Sequence, residues 1–251
     1  MTFPRMLAPE STTAGTWGRE HRKAREVAQP ATIGWASRPL AGLPHGGEME
    51  NFKFFALQYL NEWYLDDKRF VVAFKSKNRA VRLRYILKAA KYYGVIRTFK
   101  NIQERRLDTA LQALDAVSAP VTDANVDSTV CNLEKTLQEI YGGSKISAAS
   151  KFLWIRFQAP VVIYDDNAYQ FLRKRFVGQF KKRDYPNYRR KWLTQFDGQE
   201  NCIHSACDGL VEVKAFSLAH GDTDENIKCI VGNRWFRERV FDKYLLWNAG
   251  R

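Results

Sequence analysis

Two adjacent aspartates, Asp165 and Asp166, close an apolar run that follows two helix-like segments joined at Gly142-Gly143-Ser144-Lys145. A carboxylate so placed can act on positive charge that develops during a reaction, by stabilising it or by orienting a water. As a pair the two could instead hold a divalent metal, as in a nuclease, but the sequence offers no clear Asp/Glu cluster to complete that site. A second group, Cys202, His204 and Cys207 with Cys229 beyond it, has ligand-type residues. Its spacing matches no common zinc pattern and lies in a run, NCIHSACDGLVEV, that reads as an ordinary helix, so packing is its expected role and no metal is expected.

The segment VDSTVCNLEKTLQEI has helical spacing of Val130, Leu133, Leu137 and Ile140 and stops at Tyr141. Gly142 and Gly143 allow a turn that residues with a β-carbon resist. KISAASKFLWIRF then resumes helix, with Ala148 and Ala149 permitting close approach of the first. Backbone N–H groups at such a turn, ahead of a new helix, suit a DNA phosphate, and Lys145 adds a full positive charge. By itself this is also an ordinary αα-hairpin.

YGGSKISA resembles the hairpin of the helix-hairpin-helix DNA glycosylases, whose form is Pro-Gly-x-Gly-x-x-Thr-Ala. Tyr141 stands at the proline, Gly142 at the first glycine, Ser144 at the second, and Ser147-Ala148 at Thr-Ala. VVIYDDNAY is similar to the family's Val-Asp-x-His/Arg motif, with Asp165 at the catalytic place and Asn167 at the His/Arg place. The resemblance, which covers about forty residues, implies a two-lobed helical fold with DNA across the cleft. It implies hydrolysis of the N-glycosidic bond of a flipped-out base, with Asp165 catalytic and Gly142, Gly143, Ser144, Lys145 and Ser147 binding DNA. No cofactor is implied, and the iron–sulfur cysteine loop of some relatives is absent. Bifunctional relatives carry a nucleophilic lysine where Ile146 stands here, so a monofunctional enzyme is expected, unless a shifted register lets Lys145 or Lys151 substitute. Asp166 is expected to cap the following helix. The alternatives are a non-catalytic DNA-binding module that keeps the hairpin, a metal-dependent nuclease, and an RNA-binding protein. The base excised is expected to be damaged, mismatched or modified; hypermodified phage bases, such as glucosylated hydroxymethylcytosine, are one such class, in antiviral defence.

The chain around this unit has 251 residues, 45% of them hydrophobic, enough for one sizeable domain or two small lobes. Its formal net charge of +13 points to a polyanionic partner. Residues 68–106 carry thirteen Lys or Arg against one acid, Glu104, and residues 173–191 nine against one, Asp184. Ordinary surfaces intersperse both signs, so these segments read as contacts to nucleic acid, which the resemblance implies is double-stranded DNA. No apolar run approaches membrane-spanning length, and the four cysteines read as reduced thiols of a cytoplasmic, monomeric protein.

Residues 1–48 hold five of the eight prolines and read as a disordered extension, with Met49 as an alternative start. The helical domain is expected over 49–251, with the hairpin and aspartate at 127–170. The periodicity predicts a helix through the aromatics of 54–64 and another in NRAVRLRYILKAAKYYGV. Further helices are predicted at about 102–117, 127–141, 145–157, 166–177, 186–197, 200–213 and 224–247. RFVVAF could be a strand or a buried link. The expected class is mostly α.

Overall fold

The computed structural model describes residues 48–99, 103–176 and 181–250. The predicted disordered extension, apart from its last residue, lies outside them. Among the described residues the regular structure is entirely helical. The helices are α1 (Glu48–Glu62), α2 (Lys68–Phe74), α3 (Arg79–Tyr92), α4 (Glu104–Asp115), α5 (Val126–Tyr141) and α6 (Ile146–Phe157). They continue with α7 (Asp166–Arg175), α8 (Tyr185–Asp197), α9 (Glu200–Asp208), α10 (Leu210–Val213), α11 (Asp224–Val231) and α12 (Arg234–Ala249).

Three segments differ from expectation, one being the helix predicted over 200–213, which is interrupted at Gly209 between α9 and α10. RFVVAF is helical, because α1 runs without a break through a π-helical turn, Trp63–Asp67, into α2, which buries Phe70, Val71, Ala73 and Phe74. The helix predicted over 224–247 is broken into α11 and α12. Gly232 ends α11 where a β-carbon would lie 2.9 Å from the Lys228 carbonyl, and Asn233 leaves the helical conformation before α12 begins.

Helices from the two ends of the domain pack together: α1 lies against α9 and α12, and α12 against α7. The middle helices form their own succession, α3 on α4, α4 on α5 and α5 on α6, with α2 and α3 also touching α6. α6 is therefore enclosed, and its residues from Ala148 to Ile155 are all buried. An all-apolar helix suits such a place. Ser150 and Lys151 are the polar exceptions within that run, and a buried ammonium is costly unless it is paired.

Next to α6 lies a buried ionic network. Asp67, at the end of the π turn, accepts hydrogen bonds from the Tyr59 and Tyr93 hydroxyls at 3.1 and 2.6 Å. Arg239 of α12 stands 3.8 Å from Asp67 and donates to Asp242 at 2.7 Å, while the Trp192 indole donates to the other Asp242 oxygen. The guanidinium is also packed over the rings of Tyr59 and Trp154. Burial pushes both carboxyls above their ordinary range, and Arg239 holds them down.

Glu238, on the same helix, is buried with only one of its oxygens bonded, to Arg234 at 2.8 Å. Burial pushes its carboxyl up to about 7 from 4.5, with the charge of Asp242 adding and those of Arg234 and Arg189 opposing. The folded state thus holds a proton that the unfolded chain releases. The stabilisation is complete below the unfolded value and is lost as pH rises through about 7. The rise from 4.5 to about 7 corresponds to about 3 kcal/mol. Glu238→Gln should therefore flatten the fall in thermal stability between pH 5 and pH 8, measured by circular dichroism melts.

Candidate active site

Asp165 sits at the end of an extended, buried link, Val161–Tyr164, that connects α6 to α7. A link without helix must place its backbone polar groups elsewhere. Side chains take several of them. The buried Ser150 hydroxyl accepts from the Tyr164 N–H at 2.9 Å. The Tyr185 and Tyr188 hydroxyls of α8 donate to the carbonyls of Val162 and Ile163 at 2.8 and 3.0 Å. Asp165 is thereby clamped between α6 and α8.

Its two oxygens face different ways. Oδ1 accepts from the Asn167 N–H at 2.9 Å, so Asp165 is itself the N-cap of α7. Oδ2 lies 3.5 Å from Nζ of Lys151. The capping role expected of Asp166 thus belongs to Asp165, and Asp166 is the first residue of the helix. Asp166 faces solvent, 3.2 Å from Lys182, and is 61% exposed, against 30% for Asp165 and 9% for Lys151. The adjacent carboxylates diverge, each toward its own amine.

Lys151 Nζ also donates to the Tyr93 carbonyl at 3.3 Å, and Tyr93 in turn donates its hydroxyl to Asp67. Burial holds the ammonium below the ordinary lysine value, with Arg239 adding, while Asp165 and Asp242 pull the other way. Such an amine gives up its proton more readily than an exposed lysine and can serve as a nucleophile.

Each basic segment touches the site at one point. From residues 68–106 it is the carbonyl of Tyr93, just past the end of α3, and from residues 173–191 it is Lys182, beside Asp166, with Arg183 next to it. The Arg183 N–H donates to the Tyr164 hydroxyl. α7 begins at the aspartates and ends in Arg173-Lys174-Arg175, all exposed. Not every cation is free for a polyanion, since Arg79 and Arg82 pair with Asp108 and Asp115 of α4, and Arg189 with Asp123.

The hairpin has its turn where the glycines allow it. Gly142 and Gly143 both adopt positive φ, 70° and 61°, and both are exposed. Its donors, however, are partly engaged. Glu134 of α5 accepts from the Ser144 hydroxyl at 2.6 Å and from the Lys145 N–H at 3.2 Å. Lys145, expected to offer a full positive charge, is instead buried, with Nζ turned onto the carbonyls of Gly142, Gly143 and Ser144. Ser147 is half-buried in the first turn of α6, and its carbonyl accepts from Ser150. A carboxylate thus occupies the side of the turn on which a phosphate was expected.

No protein-family model, curated protein or solved structure matches this chain. What the site can do rests on its own atoms: a partly exposed carboxylate fixed at a helix start, a buried amine behind it, and Lys182 beside the neighbouring Asp166.

The cysteine group does not converge. Cys207 is buried, with its thiol pushed up to about 12 by burial; Cys229 is exposed on α11, and His204 pairs with Asp208 at 3.0 Å. Among the described residues no three His, Cys, Asp or Glu side chains gather to hold a metal ion. The sequence reading left out Ser150, Tyr185 and Tyr188, which position Asp165, and named Lys151 only as an alternative nucleophile. The signal available was Ser150-Lys151 within the otherwise apolar run from Ala148 to Ile155.

Proposed function

We propose that this protein is a DNA glycosylase that hydrolyses the N-glycosidic bond of a base rotated out of the duplex, with Asp165 as its catalytic carboxylate. The observation that supports it most is the Asp165 carboxylate, held at the start of α7 by the Asn167 N–H and paired with the buried Lys151, with Lys182 beside the adjacent Asp166. Breaking the glycosidic bond develops positive charge at C1′ of the sugar. A nearby carboxylate stabilises that charge and can orient the attacking water. Lys151 keeps the carboxylate in place, and the capped oxygen fixes its angle. Exposed cations such as Arg84, Lys88, Arg173 and Lys174 are suited to flanking phosphates. The hairpin then contributes its exposed glycine backbone more than the Lys145 charge. The substrate is a damaged, mismatched or modified base, with hypermodified phage DNA in antiviral defence as one source.

A panel of duplexes and of genomic DNAs, including modified phage DNAs, incubated in chelator and read by mass spectrometry for free base, tests this. Free base, with abasic sites that break in hot alkali, is the expected result. Strand breaks that appear only with magnesium would indicate a nuclease instead, and binding without any release a non-catalytic module.

A further inference from the structure

The turn between α10 and α11 reverses the usual sorting of side chains. Phe216 is 84% exposed, Ser217 is buried, Leu218 is 47% exposed and Ala219 is buried. Large apolar side chains thus face solvent, while the small residues between them face inward. The turn is not loose. The Ser217 hydroxyl donates to the Lys214 carbonyl at 2.7 Å and accepts from the Ala219 N–H at 3.1 Å. Asn61 of α1 accepts from the Leu218 N–H at 2.8 Å, and the Tyr64 hydroxyl donates to Asp222. Exposed Val213 precedes the turn, and exposed Leu65, next to Tyr64 and four residues beyond Asn61, extends the apolar surface from the α1 side. Single apolar residues on a surface are ordinary, but a group of them held outward by its own hydrogen bonds marks a place for another molecule.

Charge decides which molecule. Residues 197–225 carry seven Asp or Glu against one Lys, Lys214, the reverse of the basic segment just before them. Lys214 is engaged by Asp224 and by the Asp222 carbonyl. Glu212 and Glu225 stand exposed on either side of the turn. Such a surface repels the phosphates of nucleic acid and of anionic lipid and attracts a cationic protein segment. A second copy of this chain, meeting it face to face, would bring like charges together.

We propose that residues 213–218, with Leu65, dock a basic amphipathic helix of a partner protein. Its large apolar side chains cover Phe216 and Leu218, and its lysines or arginines meet Glu212 and Glu225. Apolar anchors within a charged rim are the common anatomy of such contacts, and a helix laid by its apolar face is a common mode. The inference does not depend on the glycosylase reading, since none of these residues belongs to the Asp165 centre.

The test uses the full chain and labelled peptides, read by fluorescence anisotropy without DNA. The probe is a helical peptide of leucine and lysine with one apolar face. Its controls are the same helix with glutamate in place of lysine, and oligolysine. The leucine–lysine helix should bind, the glutamate helix should not, and oligolysine should bind at least about tenfold more weakly. Phe216→Ser together with Leu218→Ser should weaken binding of the helix by about tenfold or more, and Glu212→Lys together with Glu225→Lys by a similar factor. All four side chains are exposed, so circular dichroism melts should match the parent. No binding, equal binding of the glutamate helix, or binding that neither double variant weakens overturns the inference. So does a dimer, seen by light scattering, that Phe216→Ser with Leu218→Ser dissolves, because a second copy would then be the occupant.

Discussion

Affinity for duplex DNA is expected to fall by about 10³ or more between low and moderate salt, if roughly six phosphates are neutralised. The argument starts from residues 68–106 and 173–191, with thirteen and nine basic residues and one acid each. The fold refines it. Arg79 and Arg82 are matched by Asp108 and Asp115, so charge reversal at Arg82 would break an internal pair and confuse binding with stability. Arg84, Lys88 and Lys174 are exposed and make better probes. Reversing each to glutamate should weaken binding to all sequences alike and make the salt dependence shallower, as expected for contacts to the backbone rather than to bases. Titrations by fluorescence anisotropy at several salt concentrations measure both quantities. Binding that does not respond to salt would remove the electrostatic argument.

The helical class could be read in advance because most segments announce themselves locally. α5 carries its apolar residues at helical spacing, and α3 has Asn78 as a true cap, accepting from the N–H groups of Ala80 and Val81. RFVVAF could not be read, because its state is set by continuity with the helix before it. The break at Gly232 was missed because the apolar spacing continues through it. At the candidate site, the place of Asp165 between a buried link and a helix start, and the turn at the two glycines, were readable from type and spacing. The clamp on Asp165 was not, since Tyr185 and Tyr188 reach it from more than eighteen residues downstream through their hydroxyls. Lys145 was misjudged for a related reason. A lysine in a turn has no sequence mark that distinguishes an ammonium in water from one folded onto its own carbonyls. Glu134, ten residues ahead of Ser144, engages the turn only because α5 and α6 lie side by side.

Asp165→Asn is expected to reduce base release by about 10²–10³-fold or more while leaving the fold and DNA binding in place. Asparagine is as good an N-cap as aspartate, so the bond to the Asn167 N–H survives. The lost pairing with Lys151 should cost only about 1 kcal/mol, because Asp165 is partly exposed and the buried amine can shed its proton. Binding should hold or tighten, since a negative charge near phosphates is removed. The rate falls because the carboxylate acts on positive charge that exists mainly in the transition state. Asp166→Asn removes an exposed pairing with Lys182 while an amide oxygen can still accept from the Tyr164 hydroxyl, so it should keep most of the activity. The most direct measurement is the single-turnover rate of base release at saturating enzyme for the parent and these two variants, with circular dichroism confirming the fold. The account predicts a loss of orders of magnitude for Asp165→Asn alone. Release by Asp165→Asn at near the parent rate would contradict it, and Asp165 would then be a helix cap and nothing more.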